Sequence, residues 1–233
     1  MISVIIPTYN ESANIVHLIQ SLSEELLRSG YPDHEILVMD DNSPDRTCEI
    51  AEGIGNPRVR VINRRGKPKG LAYAVIDGFA ESKGEILGVM DADLSHPVSA
   101  VPALIRAIEQ GEWVKLAVGS RYVRDGGIKD WPWSRKLSSK VACWIARPLT
   151  SVRDATSGFF FLRKEILKGV SLNPLGFKIG LEVVVKAKHG GQVVEVPFVF
   201  TDRKKGESKL NPNIIFCYLK QVTGLMLSGE KNH

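Results

Sequence analysis

The chain has 233 residues, 43% apolar and 24% charged, the balance of a folded domain rather than of a disordered or fibrous polymer. Its 31 basic and 26 acidic residues leave a formal charge of +5, which admits an anionic partner but, without basic residues interleaved with aromatics, argues against nucleic acid. Three dispersed cysteines (Cys48, Cys143 and Cys217), with no CxxC pair and no Cys/His cluster, exclude a disulfide scaffold and a zinc ribbon and point to a reducing compartment.

Met1 leads directly into Ile2-Ser3-Val4-Ile5-Ile6, a strand pattern rather than a secretory leader, and no run of about 20 apolar residues occurs. The first 120 residues then alternate. Strands are predicted at 3–7, 35–40, 58–62, 85–90 and 115–119, and helices at 14–29, 46–53, 69–82 and 98–110. Ile15, Leu18, Ile19, Leu22 and Leu26 place one apolar face on the first helix. Such βαβ spacing implies an α/β fold with a mostly parallel central sheet and right-handed crossovers.

After Ser120 the character changes. Residues 121–132, rich in Gly, Asp and Trp, read as a long loop of the kind that is often functional. An amphipathic helix follows at 134–147, with Leu137, Val141, Trp144 and Ile145 on one side and Lys136, Lys140 and Arg147 on a neighbouring stripe. Two readings stand: a surface helix packed on the core, or a helix in a membrane interface with its bases toward anionic headgroups. A late strand is expected at 192–201, a charged Gly-bearing loop at 202–211, and an apolar helix from 212 to 227, too short and too polar to span a bilayer.

The chemistry concentrates at strand ends. Asp91-Ala92-Asp93 follows the apolar run at 86–90, and ligands of open α/β sheets bind beyond the carboxyl ends of their strands. Extended backbone sends Asp91 and Asp93 to one side, where two carboxylates suit a hard divalent cation and the diphosphate it carries. Alone, a DxD is as well explained by two solvated acids in a turn. Pro7-Thr8-Tyr9-Asn10-Glu11 ends the first strand and offers a ring to stack on a base and a carboxylate to accept from base or sugar, although Asn10 could simply cap a helix. Asp40-Asp41-Asn42-Ser43-Pro44-Asp45 ends the second strand, where adjacent acids can hold a ribose or a base amide, and where Ser43 or Asp45 also starts a helix. His96 reads as structural or exposed rather than as a ligand, and Pro97 suits the first turn of the next helix. A basic group completes the picture: Arg121 after Gly119-Ser120, Arg135 beyond the loop, and Arg203 and Lys209 bracketing a Gly-bearing stretch able to close over phosphates. There is no P-loop, no GxGxxG and no GxSxG elbow.

Together these motifs resemble the family-2 glycosyltransferases of the GT-A fold over about residues 1–211. VIIPTYNE, DDNSPD, DADLSHP, GSRY and the Arg203/Lys209 pair are most similar to the dolichol-phosphate (polyprenol-phosphate) mannosyltransferase branch. The resemblance implies a catalytic domain at 1–211, with 134–148 as a candidate membrane-interface helix, and a C-terminal helix and tail at 212–233. It implies transfer of mannose from GDP-mannose to a dolichyl or polyprenyl phosphate, inverting, with Mg²⁺ or Mn²⁺. Pro7, Tyr9 and Glu11 would line base and ribose, and Val38 and Asp40 would hold the guanine. Asp91, Ala92 and Asp93 would meet ribose, pyrophosphate and metal. Arg203 and Lys209 would close on the donor diphosphate, and Arg121, Arg135 and Ser139 would receive the acceptor phosphate. Asp93, Arg121 and Arg135 would carry the reaction. Where the family often has Gln two places after the second Asp, this chain has Ser95, a poorer metal ligand. The implied setting is peripheral, on the cytoplasmic face of the endoplasmic reticulum in a eukaryote or of the plasma membrane in a prokaryote, with a possible anchoring partner subunit. Transfer from a UDP-sugar (glucose or N-acetylglucosamine) is the alternative within the fold, and a non-catalytic nucleotide or phospholipid binder the alternative outside it.

Overall fold

The structure, a computed structural model, describes residues 1–173, 178–186, 191–202 and 212–229, with only the backbone of 212–215 and 228–229. A central sheet is built on β1 (Ile2–Thr8), which pairs in parallel with β2 (His34–Asp40) on one side and β4 (Ile86–Val89) on the other. Beyond β2 lies β3 (Val59–Asn63). On the far side, β7 (Phe160–Arg163) runs antiparallel between β4 and β5 (Val114–Ser120), and β8 (Gln192–Pro197) closes the edge parallel to β5. The seven-stranded order is β3-β2-β1-β4-β7-β5-β8, so the strand order reverses beside β1. The expected mostly parallel α/β sheet is present, with one antiparallel strand.

Alternation along each strand feeds two cores. Val4 and Ile6 of β1 join Ile36 and Val38 of β2 beneath α1 (Ile15–Arg28) and α4 (Val101–Glu109). Ile5, Leu37 and Met39 point the other way, toward α3 (Leu71–Glu81) and α6 (Ile179–Lys186). Both faces of the sheet are covered, which is why its strands read as nearly continuous apolar runs. The short α2 (Thr47–Glu52) connects β2 to β3.

Three expectations change, two of them after Ser120. The stretch at 121–132 is not all loop: β6 (Gly127–Lys129) forms a parallel two-stranded sheet with β9 (Val199–Thr201). The late strand at 192–201 is two strands, β8 and β9, broken at Phe198. Pro197 lacks the N–H a ladder needs, and Phe198 turns aside to donate to the Ser120 carbonyl (3.1 Å) and accept from the Gly127 N–H (3.0 Å). The helix expected at 98–110 starts as a 3₁₀ turn at Val98–Ala100 before α4.

The amphipathic helix is α5 (Trp133–Ile145), and the last helix is α7 (Pro212–Gly229). These pack together through Ala146, Leu149, Leu181, Val222 and Leu225, and the Tyr218 hydroxyl donates to the Ala142 carbonyl (2.6 Å). Among the described residues, no helix is long and apolar enough to cross a membrane.

Candidate active site

The carboxyl ends of β1, β2 and β4 enclose a cleft of about 300 Å³, lined by Pro7, Thr8, Tyr9, Glu11, Asp41, Lys69, Gly70, Leu71, Ala74, Asp91, Ala92 and Asp93. Parallel pairing places these ends side by side: Thr8 is opposite Asp40, and β1 also registers with β4. Three sequence motifs separated by dozens of residues therefore share one wall.

The loops are locked to each other by polar contacts. The backbone N–H groups of Asn10, Glu11 and Ser12 donate to Ser43 Oγ (3.0 Å), Thr47 Oγ1 (2.9 Å) and Asp45 Oδ2 (3.0 Å). Burial works against the Asp45 charge, but its hydrogen bonds from Thr47 and Ser12 outweigh that and hold its carboxyl below the usual range. The N-cap of α2 is Arg46 rather than Ser43 or Asp45, although Asp45, one residue earlier, receives the Thr47 N–H (3.1 Å). This bracing leaves Tyr9 44% exposed at the mouth of the cleft.

Asp40 and Asp41 divide their work. Asp40 is fully buried and accepts from Thr8 Oγ1 (3.0 Å), Ser43 N–H (2.8 Å) and Ser43 Oγ (2.6 Å). Val38 is equally buried, in the core. Neither lines the cleft, whereas Asp41 does. The adjacent acids were both candidates for a ribose or base amide, and the resemblance gave the guanine to Asp40; alternation at the strand end sends Asp41 the other way.

Asp91 and Asp93 differ as well. The Asp91 side chain keeps 31% of its exposure, and its carboxylate lies beside Gly158, where a Cβ would stand 3.7 Å from both oxygens. Asp93 is buried and receives Ser95 N–H (3.1 Å) and Ser95 Oγ (2.5 Å) on one oxygen. Of the two expectations for His96, structural or exposed, the structure shows the first: it is buried, stacks on Phe159 (4.8 Å between centroids, 12°), and its Nδ1 accepts the Asp91 N–H (3.1 Å). Burial pushes its pKa down, which suits a neutral ring accepting at Nδ1.

Among the described residues, no group of three or more His, Cys, Asp or Glu side chains is placed to hold a metal. The donor set nevertheless fits a small hard cation. Asp91 and Asp93 are oxygen ligands, and Mg²⁺ in such sites takes only one or two carboxylates, completing its shell with waters and substrate phosphates. The Ser95 hydroxyl is engaged with Asp93.

Arg121 and Arg135 are not among the residues lining the cleft. Arg121 is buried and forks onto Asp154 through Nε (2.7 Å) and an η-nitrogen (2.6 Å), with a further bond to Thr156 Oγ1 (3.2 Å). Burial opposes its charge, yet the Asp154 bonds and charge carry its pKa above the usual value. Arg135 lies 4.1 Å over the Trp131 ring and pairs with Asp202 (2.8 Å); Arg121 flanks the same ring at 5.4 Å. Ser139, half-buried on α5, faces Tyr122. The structure thus brings the three acceptor-side candidates to one neighbourhood, with both arginines in ion pairs. Asp154 and Lys178, whose ammonium donates to the Thr156 carbonyl (3.0 Å), belong to this cluster and were not anticipated. Arg203 and Lys209 lie outside the described residues.

Comparison with known proteins decides the family. The model of glycosyl transferase family 2 matches residues 3–170. The chain belongs to glycosyl transferase family 2. This family-2 chain is 47% identical over 229 residues to the dolichol-phosphate mannosyltransferase of Pyrococcus furiosus, covering 97% of the chain and 63% of that protein, so it spans less than two thirds of that relative. It is 39% identical to the dolichol-phosphate mannosyltransferases of Mycosarcoma maydis and Saccharomyces cerevisiae, covering 96% of the chain and 78% and 86% of those proteins. Among solved structures, glucosyl-3-phosphoglycerate synthase from Mycobacterium tuberculosis superposes with a TM-score of 0.73 in complex with Mn²⁺, UDP and phosphoglyceric acid, at 23% identity over 98% of this chain and 78% of that one. Its complex with Mg²⁺ and UDP gives 0.72 at 21% identity, again over 98% and 78%. The likeness shows that the family-2 chain has the GT-A fold expected of it.

Proposed function

We propose that this chain transfers mannose from GDP-mannose to a dolichyl or polyprenyl phosphate, inverting the anomeric configuration to give a β-linked mannosyl phosphate lipid and GDP. The observation that carries this reading is the cleft itself: in a chain 39–47% identical to dolichol-phosphate mannosyltransferases, Tyr9 and the Asp91/Asp93 pair line one cavity at the point where strand order reverses. Pro7, Tyr9 and Glu11 take base and ribose at one end. Asp91 and Asp93 face the diphosphate at the other, with Arg203 and Lys209 assigned to its outer oxygens. Asp91 and Asp93 would hold Mg²⁺ or Mn²⁺, which when bound supplies positive charge against the leaving diphosphate.

The acceptor oxygen belongs to a phosphate already ionised near neutral pH, so none of the cleft carboxylates has to remove a proton. The task of the protein is electrostatic. It must bring two anions together, and the arginines near Trp131 provide the cationic side for the acceptor. Because Asp154 and Asp202 already pair with Arg121 and Arg135, the acceptor phosphate would share or displace these carboxylates rather than meet bare charges. Val38 and Asp40 act on the guanine, in this reading, through the backbone and loop they hold in place.

The setting proposed is the cytoplasmic face of a membrane, held peripherally. Trp133, Leu137, Val141 and Trp144 form an exposed apolar stripe on α5, with Phe216, Leu219, Met226 and Leu227 exposed on α7 and Lys140 and Arg147 exposed close by. This outward apolar face favours the interfacial reading of the helix over simple packing on the core. An anchoring partner subunit would add to the same attachment.

The test is direct. Incubation with GDP-mannose, Mg²⁺ and a polyprenyl phosphate should yield lipid-linked mannose that is β-configured by NMR, while UDP-glucose and UDP-N-acetylglucosamine should yield none. No product with any donor, alongside an active control enzyme, would sink the proposal, and product only from a UDP-sugar would replace the donor.

A further inference from the structure

The segment from Arg64 to Gly70, Arg-Arg-Gly-Lys-Pro-Lys-Gly, lies between β3 and α3 on the base side of the cleft. Three of its basic residues, Arg65, Lys67 and Lys69, are exposed, but the Arg64 side chain keeps only 1% of its exposure. Its guanidinium donates to Asp41 Oδ1, to Asp77 Oδ2 (3.0 Å) and to the Pro68 carbonyl (3.0 Å). Its own N–H donates to the Asp40 carbonyl (2.7 Å). The second Asp41 oxygen accepts the Gly70 N–H (2.7 Å). Gly70 sits at φ +141°, a conformation that side-chain-bearing residues rarely adopt, and this turns its N–H onto the carboxylate. Arg64, Asp41, Pro68 and Gly70 thus close a ring that fixes the turn carrying Lys69.

That turn is part of the cleft wall. Asp41, Lys69 and Gly70 line the cavity with Tyr9, and the Lys69 ammonium stands 5.0 Å from the centre of the Tyr9 ring. A base stacking on Tyr9 would take the place of this cation and leave it at the edge of the stacked ring. A buried arginine is expensive to desolvate, and apolar packing could hold α3 at lower cost, so the ionic ring is better explained by the geometry it imposes than by stability.

We propose that Lys69 is a donor-binding residue that reads the nucleobase, and that Arg64, acting through Asp41 and Gly70, is the positioning residue that holds it there. This rests on the functional reading above and names how that site selects its nucleotide. An ammonium donates and never accepts. Guanine presents two adjacent acceptors, O6 and N7, along one edge, where a pyrimidine such as uracil presents one carbonyl. Lys69 therefore favours GDP over UDP.

Calorimetric titration with GDP and with UDP in Mg²⁺, paired with steady-state transfer kinetics, tests the assignment. Lys69→Met keeps the stem and exposed position but removes the donors. It should raise the GDP Kd and the KM for GDP-mannose about tenfold, with kcat within about twofold and UDP affinity changed less. Lys69→Arg should recover most of the loss. Arg64→Lys keeps the charge but loses the fork; it should raise the same constants, and add little in a Lys69→Met background because the two residues act in series. GDP affinity and KM within twofold of wild type in Lys69→Met would overturn the base-reading role, and full additivity of Arg64→Lys would overturn the positioning role. A wild-type protein that binds GDP without transferring mannose would defeat the proposed reaction and leave the GDP titrations to decide Lys69, whereas binding neither nucleotide would overturn both.

Discussion

At the residue scale, two carboxylates of one motif line the same cleft but differ in burial and partners. Asp93 is buried and bonded to Ser95, while Asp91 remains partly open at the cleft. Asp93→Ala should lower mannosyl transfer on the order of 100-fold or more, with a circular dichroism spectrum unchanged from wild type. Retained activity would remove Asp93 from the metal-binding role. His96 makes a second prediction. Its ordinary pKa of 6.5 is lowered first by burial, with Arg121 adding to that and Asp91, Asp93 and Asp154 opposing it. The unfolded chain therefore binds this proton more readily than the folded one. Stability from this group is present above about pH 6.5 and declines below it, until pH reaches the lowered folded value. The slope there is at most about 1.4 kcal/mol per pH unit. Urea unfolding in EDTA at pH 7.5 and 5.5 measures it, and His96→Phe should remove this part of the slope.

At the scale of elements, a buried ion pair ties the end of β5 to the loop before β7. Asp154 is fully buried, and it receives the Arg121 backbone N–H (2.9 Å) as well as the guanidinium. Asp154→Ala should cost about 3–5 kcal/mol by denaturant unfolding, since it strands a buried guanidinium. A loss below 1 kcal/mol would mean that Arg121 finds another partner. The outward face of α5 makes a different prediction. Trp133 and Trp144 are 76% and 74% exposed, whereas Ile145 is half-buried against the α7 contact. Trp133→Ser with Trp144→Ser should abolish flotation with anionic liposomes and leave the melting temperature near wild type. Unchanged flotation would move the membrane contact elsewhere.

At the scale of the whole molecule, the sheet divides the site between two halves. The parallel strands β1, β2 and β4 carry the cleft proposed for the donor, and the end of β5 and α5 carry Arg121 and Arg135, with β6 and β9 beside them. His96 joins them. It anchors the Asp91 loop through its ring nitrogen, and its ring packs on Phe159, Phe198 and Phe200 from the second half. A prediction at this scale is that GDP with Mg²⁺ raises the melting temperature of the whole chain in one cooperative transition, by a margin that grows with ligand concentration over Kd; at 100 times Kd the gain is about 2.7 kcal/mol. Two separate transitions in differential scanning calorimetry would contradict that unity.

The sequence by itself determined the first half of the molecule. Strands and helices through residue 120 were legible because each is a short apolar run or an amphipathic period next to its own turn, and the DxD, TYNE and DDNSPD motifs fell where such strands end. It did not expose β7, since Phe159-Phe160-Phe161-Leu162 is a run that pairs with strands some 45 and 75 residues distant, as Ala117 and Gly88 pair with Phe161. Nor did it show that 127–129 would find 199–201. Only the tertiary structure decided that Asp41 rather than Asp40 faces the cleft, that Asp154 occupies Arg121, and that Arg64 holds the turn bearing Lys69. Alternation sends Asp40 and Asp41 to opposite sides but does not say which side holds the cleft; that, like the other two, depends on distant partners that local periodicity does not encode.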